Sequence, residues 1–166
     1  MNPPILLSIQ DAVAHITLNR PEQANVLDEA TGQTLIKVTY ELTQACDRGE
    51  VRAVLISARG PHFCAGGDIR FFHEAALTGN PELEDFFTEE YSLNHLIHTY
   101  PKPYIAFMDG IVMGGGMGIS QGASLRIVTE RSKLAMPETL IGLFPDVGGG
   151  YFLSRCAGRL GEYLAL

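Results

Sequence analysis

Two carboxylates, Glu138 and Asp146, stand in a stretch that is otherwise mostly apolar or glycine: Leu134-Ala-Met-Pro-Glu-Thr-Leu-Ile-Gly-Leu-Phe-Pro-Asp-Val-Gly-Gly-Gly150. Apolar surroundings disfavour the carboxylate anion and lift its pKa toward values useful for proton transfer. Each acid follows a proline, which fixes the local backbone, and the glycines after Asp146 allow close approach of backbone or ligand. The same acids can also open helices by satisfying the unpaired N–H groups of a first turn. Spacing alone leaves both readings open.

Two upstream segments offer something for an acid to act upon: Phe63-Cys-Ala-Gly-Gly-Asp68 and Met113-Gly-Gly-Gly-Met117. Each reads as a strand end, a glycine turn and a helix start, where backbone N–H groups are unpaired and the dipole favours negative charge. Two such N–H groups converging on one point form an oxyanion hole. Single glycines more often mark turns or tight packing, but two such units, each after a buried strand, favour the functional reading. Neither unit has the spacing of a phosphate loop, and the run at Gly114 lacks the full dinucleotide pattern. Gly118-Ile-Ser-Gln-Gly122 matches a nucleophile elbow, yet Ser120 falls inside an expected helix and all five histidines precede it, so a Ser-then-His order cannot form within this chain. Cys64, beside a turn and with only His62 near it in sequence, reads as a small buried residue. Glu89 and Glu90 share a helix with aromatic neighbours, and pattern alone selects neither.

The elements that must position these groups follow from periodicity. Ile5 to Gln10 and Val13 to Leu18 read as an antiparallel hairpin turning at Asp11-Ala12. After a polar loop at 20–25, Asp28 opens a helix whose Leu35, Val38, Leu42 and Ala45 repeat at helical spacing, with Gly49 suited to its end. Val51 to Ala58 is a nearly continuous apolar run, expected of a strand covered on both faces. Asp68 is placed to cap a helix, and residues 74–82 read as a mobile loop. Glu82 to Thr99 reads as a helix ended by Pro101 and Pro103. Tyr104 to Met108 reads as a second buried strand, followed by a short small-residue helix to about Gly122, strands at Leu125 to Thr129 and Lys133 to Met136, and a helix from Tyr151 to Cys156. No repeat of 20–50 residues is visible. The last residues start an amphipathic helix without a capping glycine, which leads to the expectation that the chain is the N-terminal part of a longer protein.

With 166 residues, 46% apolar and 19% charged, the chain reads as one globular domain, 1–166. A net charge of −7 argues against nucleic acid or an anionic membrane as the main partner. Cys46, Cys64 and Cys156 are too widely spaced for a zinc site or a disulfide framework. The N-terminus shows no targeting pattern, so the expected location is cytoplasmic.

In combination, Leu18-Asn-Arg-Pro21, Phe63-Cys-Ala-Gly-Gly-Asp-Ile69, Gly114-Gly-Gly116 and Pro137-Glu138 through Gly148-Gly149 resemble the crotonase (enoyl-CoA hydratase/isomerase) superfamily, in its order and over essentially the whole chain. Within it, Phe86-Phe-Thr-Glu-Glu-Tyr91, Lys102-Pro-Tyr104, Met113 to Gly118 and Met136 to Phe152 are most similar to the 3-hydroxyisobutyryl-CoA hydrolase branch. The resemblance implies an α/β fold, a spiral of ββα units binding acyl-CoA, with the superfamily's C-terminal helices absent from this chain. It implies oxyanion donors at Gly67 and Gly115, an acidic pair at Glu138 and Asp146, and a substrate-contacting Glu90, with Gly115, Glu138 and Asp146 also touching substrate. No metal or other cofactor is implied, since coenzyme A belongs to the substrate. A homo-oligomer is a possible assembly. The implied reaction is hydrolysis of a short branched 3-hydroxyacyl-CoA, a step of valine breakdown. Hydratases carry a second catalytic glutamate where this chain has Gly118, and typically glycine where it has Asp146. That exchange favours the hydrolase over the alternatives, a hydratase or isomerase and a non-catalytic acyl-CoA-binding fragment.

Overall fold

The computed structural model describes residues 2–166. Asp11 and Ala12 both take positive φ, 52° and 63°, the turn geometry that matches the twist of paired strands. They fold β1 (Ile5–Gln10) onto β2 (Val13–Leu18) with Ile5 opposite Leu18, as the alternation indicates. β3 (Ala53–Ala58), β4 (Tyr104–Met108) and β6 (Leu125–Val128) then add in parallel, giving a five-stranded sheet in the order β1-β2-β3-β4-β6. Parallel neighbours need long crossovers, and each crossover here has the same content. It visits a second, smaller sheet and then returns through a helix.

That second sheet pairs β5 (Ile111–Met113) with β7 (Lys133–Ala135), and single bridges Leu27 to Gly67 and Cys64 to Val112 extend it. The returns are α1 (Glu29–Asp47), then α2 (Ile69–Thr78) with α3 (Glu82–His98), then α4 (Gly115–Gln121). The fourth turn runs through β6 and β7 into a 3-10 segment at Pro137–Ile141, followed by α5 (Gly149–Leu153) and α6 (Leu160–Ala165). This is a mixed α/β spiral of the kind the resemblance implies. Its turns differ in length, and two of their inner strands are single bridges, so no fixed sequence period marks them.

Asp28 caps α1 by accepting from the Thr31 N–H at 2.9 Å, and it pairs with Arg20 at 2.7 Å. The face carrying Leu35, Leu42, Ala45 and Cys46 is buried, each large apolar side chain contributing roughly 2 kcal/mol. Three expectations need correction. Residues 74–82 are no mobile loop: α2 continues to Thr78, with Ala75 buried, and only 79–81 separate it from α3. The Gly79-Asn80-Pro81 turn signal marks only the break between two helices and does not reach back over Glu74 to Thr78, the end of α2. The strand from Val51 starts at Ala53 and is covered fully on one face only, since Val54 and Ile56 are buried while Leu55 is half-buried. β4 behaves likewise, with Phe107 exposed between buried Ala106 and Met108. Apolar runs report strand type but not how well the second face is covered.

Candidate active site

Asn25 anchors the first glycine turn. It is buried at φ 53°, and its side-chain amide donates to the carbonyls of Arg59 and His62, each at 2.9 Å, while its oxygen accepts from the Arg20 N–H. Leu27 donates to the Gly66 carbonyl and receives from the Asp68 N–H. From the other side, the Cys64 N–H donates to the Ile111 carbonyl and the Cys64 carbonyl accepts from the Met113 N–H. The turn is thereby tied to the second glycine unit. Gly66 at φ 116° and Gly114 at φ 48° bend the two backbones together in conformations that side chains resist.

The consequence is convergence. A Cβ built on Gly115 would lie 3.5 Å from the Gly67 nitrogen. Among the described residues, no group accepts a hydrogen bond from the N–H of Gly67 or of Gly115. Two unpaired donors on one opening can stabilise charge developing on a carbonyl oxygen. Asp68 caps α2 as its spacing indicates, accepting from the Arg70 and Phe71 N–H groups.

The acids surround this opening. Glu138 lies in the 3-10 segment, 8% exposed, and a Cβ on Gly114 would come within 2.8 Å of its Oε1. Its Oε2 is buried without a partner. Burial, and after it the charge of Asp146, push its carboxyl above the usual range, partly offset by its own backbone N–H. Asp146 accepts a hydrogen bond from the Tyr91 hydroxyl at 2.8 Å. Neither acid is the capping residue of its helix: Met136 precedes the 3-10 segment and Gly148 precedes α5. Glu90 is 6% exposed on α3, and its unpartnered Oε1 would meet a Cβ on Gly115 at 2.6 Å. Burial first, then Asp146 and Glu138, push it up to about 8, so at neutral pH it holds a proton and can donate.

Glu90 therefore couples pH to stability. Its folded pKa lies above the unfolded value, so its contribution is full below about pH 4.5 and is lost as pH rises through about 8. Glu90→Gln is expected to flatten the fall in thermal midpoint between pH 5 and 8.5, with a gain of a few kcal/mol at the alkaline end. A variant whose midpoint tracks that of wild type across this window would overturn the expectation.

The five residues expected at the site, Gly67, Gly115, Glu90, Glu138 and Asp146, line one cavity of about 230 Å³. Phe72, Phe87, Leu140, Ile141 and Leu143 supply much of its apolar wall. The position of the hydratases' second acid is closed: a Cβ on Gly118 would lie 2.7 Å from the Val147 Cβ and 3.0 Å from the Asn94 amide nitrogen. Val147 itself takes φ 41°, a costly conformation for a β-branched residue, of the kind found at functional turns.

The decoys resolve structurally. Ser120 is buried within α4 and its hydroxyl donates to the Gly116 carbonyl at 2.8 Å. Burial pushes the Cys64 thiol up to about 12, so it is no nucleophile. Among the described residues, no group of three or more His, Cys, Asp or Glu side chains is arranged to hold a metal ion, and no helix is long and apolar enough to cross a membrane. Sequence reasoning gave no role to Tyr91, Val147 or Phe72. The left-handed backbone at Val147 has no sequence signal, and Tyr91 meets Asp146 only through the fold.

The chain is similar to known proteins over nearly its whole length. Among curated relatives, the Xenopus tropicalis protein named 3-hydroxyisobutyryl-CoA hydrolase, mitochondrial, is 48% identical over 163 residues, 97% of this chain and 41% of its own length. The Homo sapiens protein of that name is 44% identical over 164 residues, 98% of this chain and 42% of its own. This chain thus spans about two fifths of those relatives. Their names place them in mitochondria and lend no support to a cytoplasmic location. Among solved structures, an enoyl-CoA hydratase from Rhodobacter sphaeroides superposes with a TM-score of 0.91 at 40% identity, over 98% of this chain and 48% of that one. A carnitinyl-CoA dehydratase from Mycobacterium thermoresistibile gives 0.91 at 41% identity, over 99% and 48%. The family profile for enoyl-CoA hydratase/isomerase matches residues 13–166, and the chain belongs to that family, within the crotonase superfamily.

Proposed function

We propose that the intact protein hydrolyses the CoA thioester of a short branched 3-hydroxy acid, with 3-hydroxyisobutyryl-CoA as its principal substrate. The observation that carries this reading is the acid set: Glu138 and Asp146 face the paired glycine turns, and Gly118 leaves no room for a hydratase's second acid. The curated relatives of that name support it. In this reading the thioester oxygen accepts from the N–H groups of Gly67 and Gly115. Glu138 takes a proton from water, and the hydroxide adds to the carbonyl carbon. Collapse of the adduct breaks the C–S bond, and the proton held by Glu138 passes to the CoA sulfur. A second course has the Glu138 carboxylate add to the carbonyl carbon; breaking the C–S bond expels CoA as the thiolate, which takes a proton from water, and a second water opens the mixed anhydride to the free acid and Glu138. Asp146 holds the 3-hydroxyl, and Glu90, carrying its proton, contacts the acyl group.

Hydration or isomerisation of an enoyl-CoA is the competing reading, and the names of the solved neighbours, a hydratase and a dehydratase, favour it. Incubation of the intact protein with 3-hydroxyisobutyryl-CoA and with crotonyl-CoA separates the two. Thiol release from the hydroxy ester is the expected result. Loss of the enoyl chromophore without thiol would reject hydrolysis, and binding of both esters without turnover would reduce the protein to an acyl-CoA binder.

A further inference from the structure

Among the described residues, Tyr91 alone offers a side chain to the Asp146 carboxylate: its hydroxyl donates to Oδ2 at 2.8 Å. Among the described residues, no arginine, lysine or histidine pairs with Asp146. The acid sits in a turn at 145–148 that is strained at Val147 and held within itself by a backbone bond from Gly149 to Asp146. The Tyr91 bond joins this turn to α3. It does so one residue after Glu90, so one helical segment presents the buried glutamate to Gly115 and the phenol to Asp146. The phenol ring is itself braced, lying 5.9 Å from Phe87, whose ring lies 5.2 Å from Phe72, the side chain that packs against Gly67. The aromatic row runs from the acidic turn to the carbonyl-binding turn.

We infer that Tyr91 is a positioning residue for substrate selection: by fixing Oδ2 of Asp146, its hydroxyl leaves the other oxygen to receive the 3-hydroxyl of the acyl group. This rests on the proposed hydrolysis and deepens it. The titratable groups facing Asp146 are Glu90 and Tyr91 from α3 and Glu138 from the 3-10 segment, with Cys64 buried behind Glu90. Asp146 lies close enough to Glu138 for its charge to raise that carboxyl, and an ionised Glu138 repels it, so an unanchored Asp146 has reason to turn outward. Burial and the bond to Asp146 hold the Tyr91 phenol well above its ordinary pKa, so it remains a donor at every working pH.

The test compares 3-hydroxyisobutyryl-CoA with isobutyryl-CoA, which lacks the hydroxyl, on the intact wild type, Tyr91→Phe, Asp146→Asn and the double variant. Tyr91→Phe is expected to lower kcat/KM for the hydroxy ester roughly tenfold, the scale of a hydrogen bond to a charged group. The inhibition constant of isobutyryl-CoA should stay within about twofold, which also reports a folded site. The double variant should match Asp146→Asn alone, because both changes break one interaction. Equal losses for both esters would assign Tyr91 a general structural role and overturn the inference. So would an Asp146→Asn variant that loses the preference beside a Tyr91→Phe variant that keeps it, and there the parent reading stands. A wild type that releases thiol from neither ester overturns both.

Discussion

Replacing Glu138 by glutamine is expected to lower thioester hydrolysis about a thousandfold while leaving CoA-ester affinity near that of wild type. The substitution keeps size and shape. It removes the ability to take a proton from water or to add to a carbonyl, and either course of the proposed reaction needs that ability. Binding survives because the carbonyl donors of the proposed reaction are backbone groups, those of Gly67 and Gly115, and much of the wall is apolar. The fold survives as well. Glu138 is a buried acid whose charged form is already disfavoured by burial and by Asp146, so an uncharged isostere relieves repulsion. The thermal midpoint of Glu138→Gln should equal or exceed that of wild type near neutral pH. Because Glu138 must be ionised to act as base or nucleophile, wild-type kcat/KM should rise with pH through a limb lying above the ordinary carboxylate range. Thiol release followed with a thiol reagent, beside calorimetric titration with the ester, reads both quantities. Single turnover in heavy-oxygen water tests for a mixed anhydride: its opening by water at the Glu138 carbon labels that carboxylate, whereas general-base catalysis labels only the acid released. A glutamine variant with full turnover would remove Glu138 from the mechanism.

What was legible in the sequence divides by the range of the interaction that fixes it. Glu138 and Asp146 stood out because acids are rare in an apolar, glycine-rich stretch, and the two glycine turns because helix starts after strands have local signatures. The hairpin, α1 with its Asp28 cap, and α3 followed from periodicity in the same way. Glu90 was different. Its pattern matched any solvated helical glutamate, and only the family resemblance selected it. Burial by a neighbouring layer then makes it an acid pushed up to about 8. Tyr91 and Asp146 are 55 residues apart, and nothing local announces their bond. β5 escaped because a three-residue strand inside a glycine run has too few positions to show alternation. The spiral itself was hidden for the same reason, since two of its inner strands are one-residue bridges.

Alanine at Gly115 is expected to cost roughly a hundredfold to a thousandfold in kcat, the scale of one lost oxyanion donor. Gly115 lies in α4 and has no positive φ, so its backbone accepts alanine without strain. The loss comes from what the new methyl meets: Glu90 Oε1 at 2.6 Å, Leu27 Cδ1 at 3.1 Å and the Gly67 nitrogen at 3.5 Å. It fills the space that a carbonyl oxygen needs and pushes the protonated Glu90 aside. Gly67→Ala is expected to be milder, because its methyl meets the ring of Phe72 at 2.6 Å, a side chain that can rotate away. Gly150→Ala, with nothing within 4 Å of the added carbon and outside the cavity lining, should leave kcat unchanged and serves as the control for a glycine-to-alanine change. The order Gly115, Gly67, Gly150 in falling effect on kcat, with thermal midpoints alike, is a signature that general destabilisation cannot produce. If Gly115→Ala keeps wild-type kcat, the thioester oxygen is bound elsewhere, and the two acids would need a different partner for their chemistry.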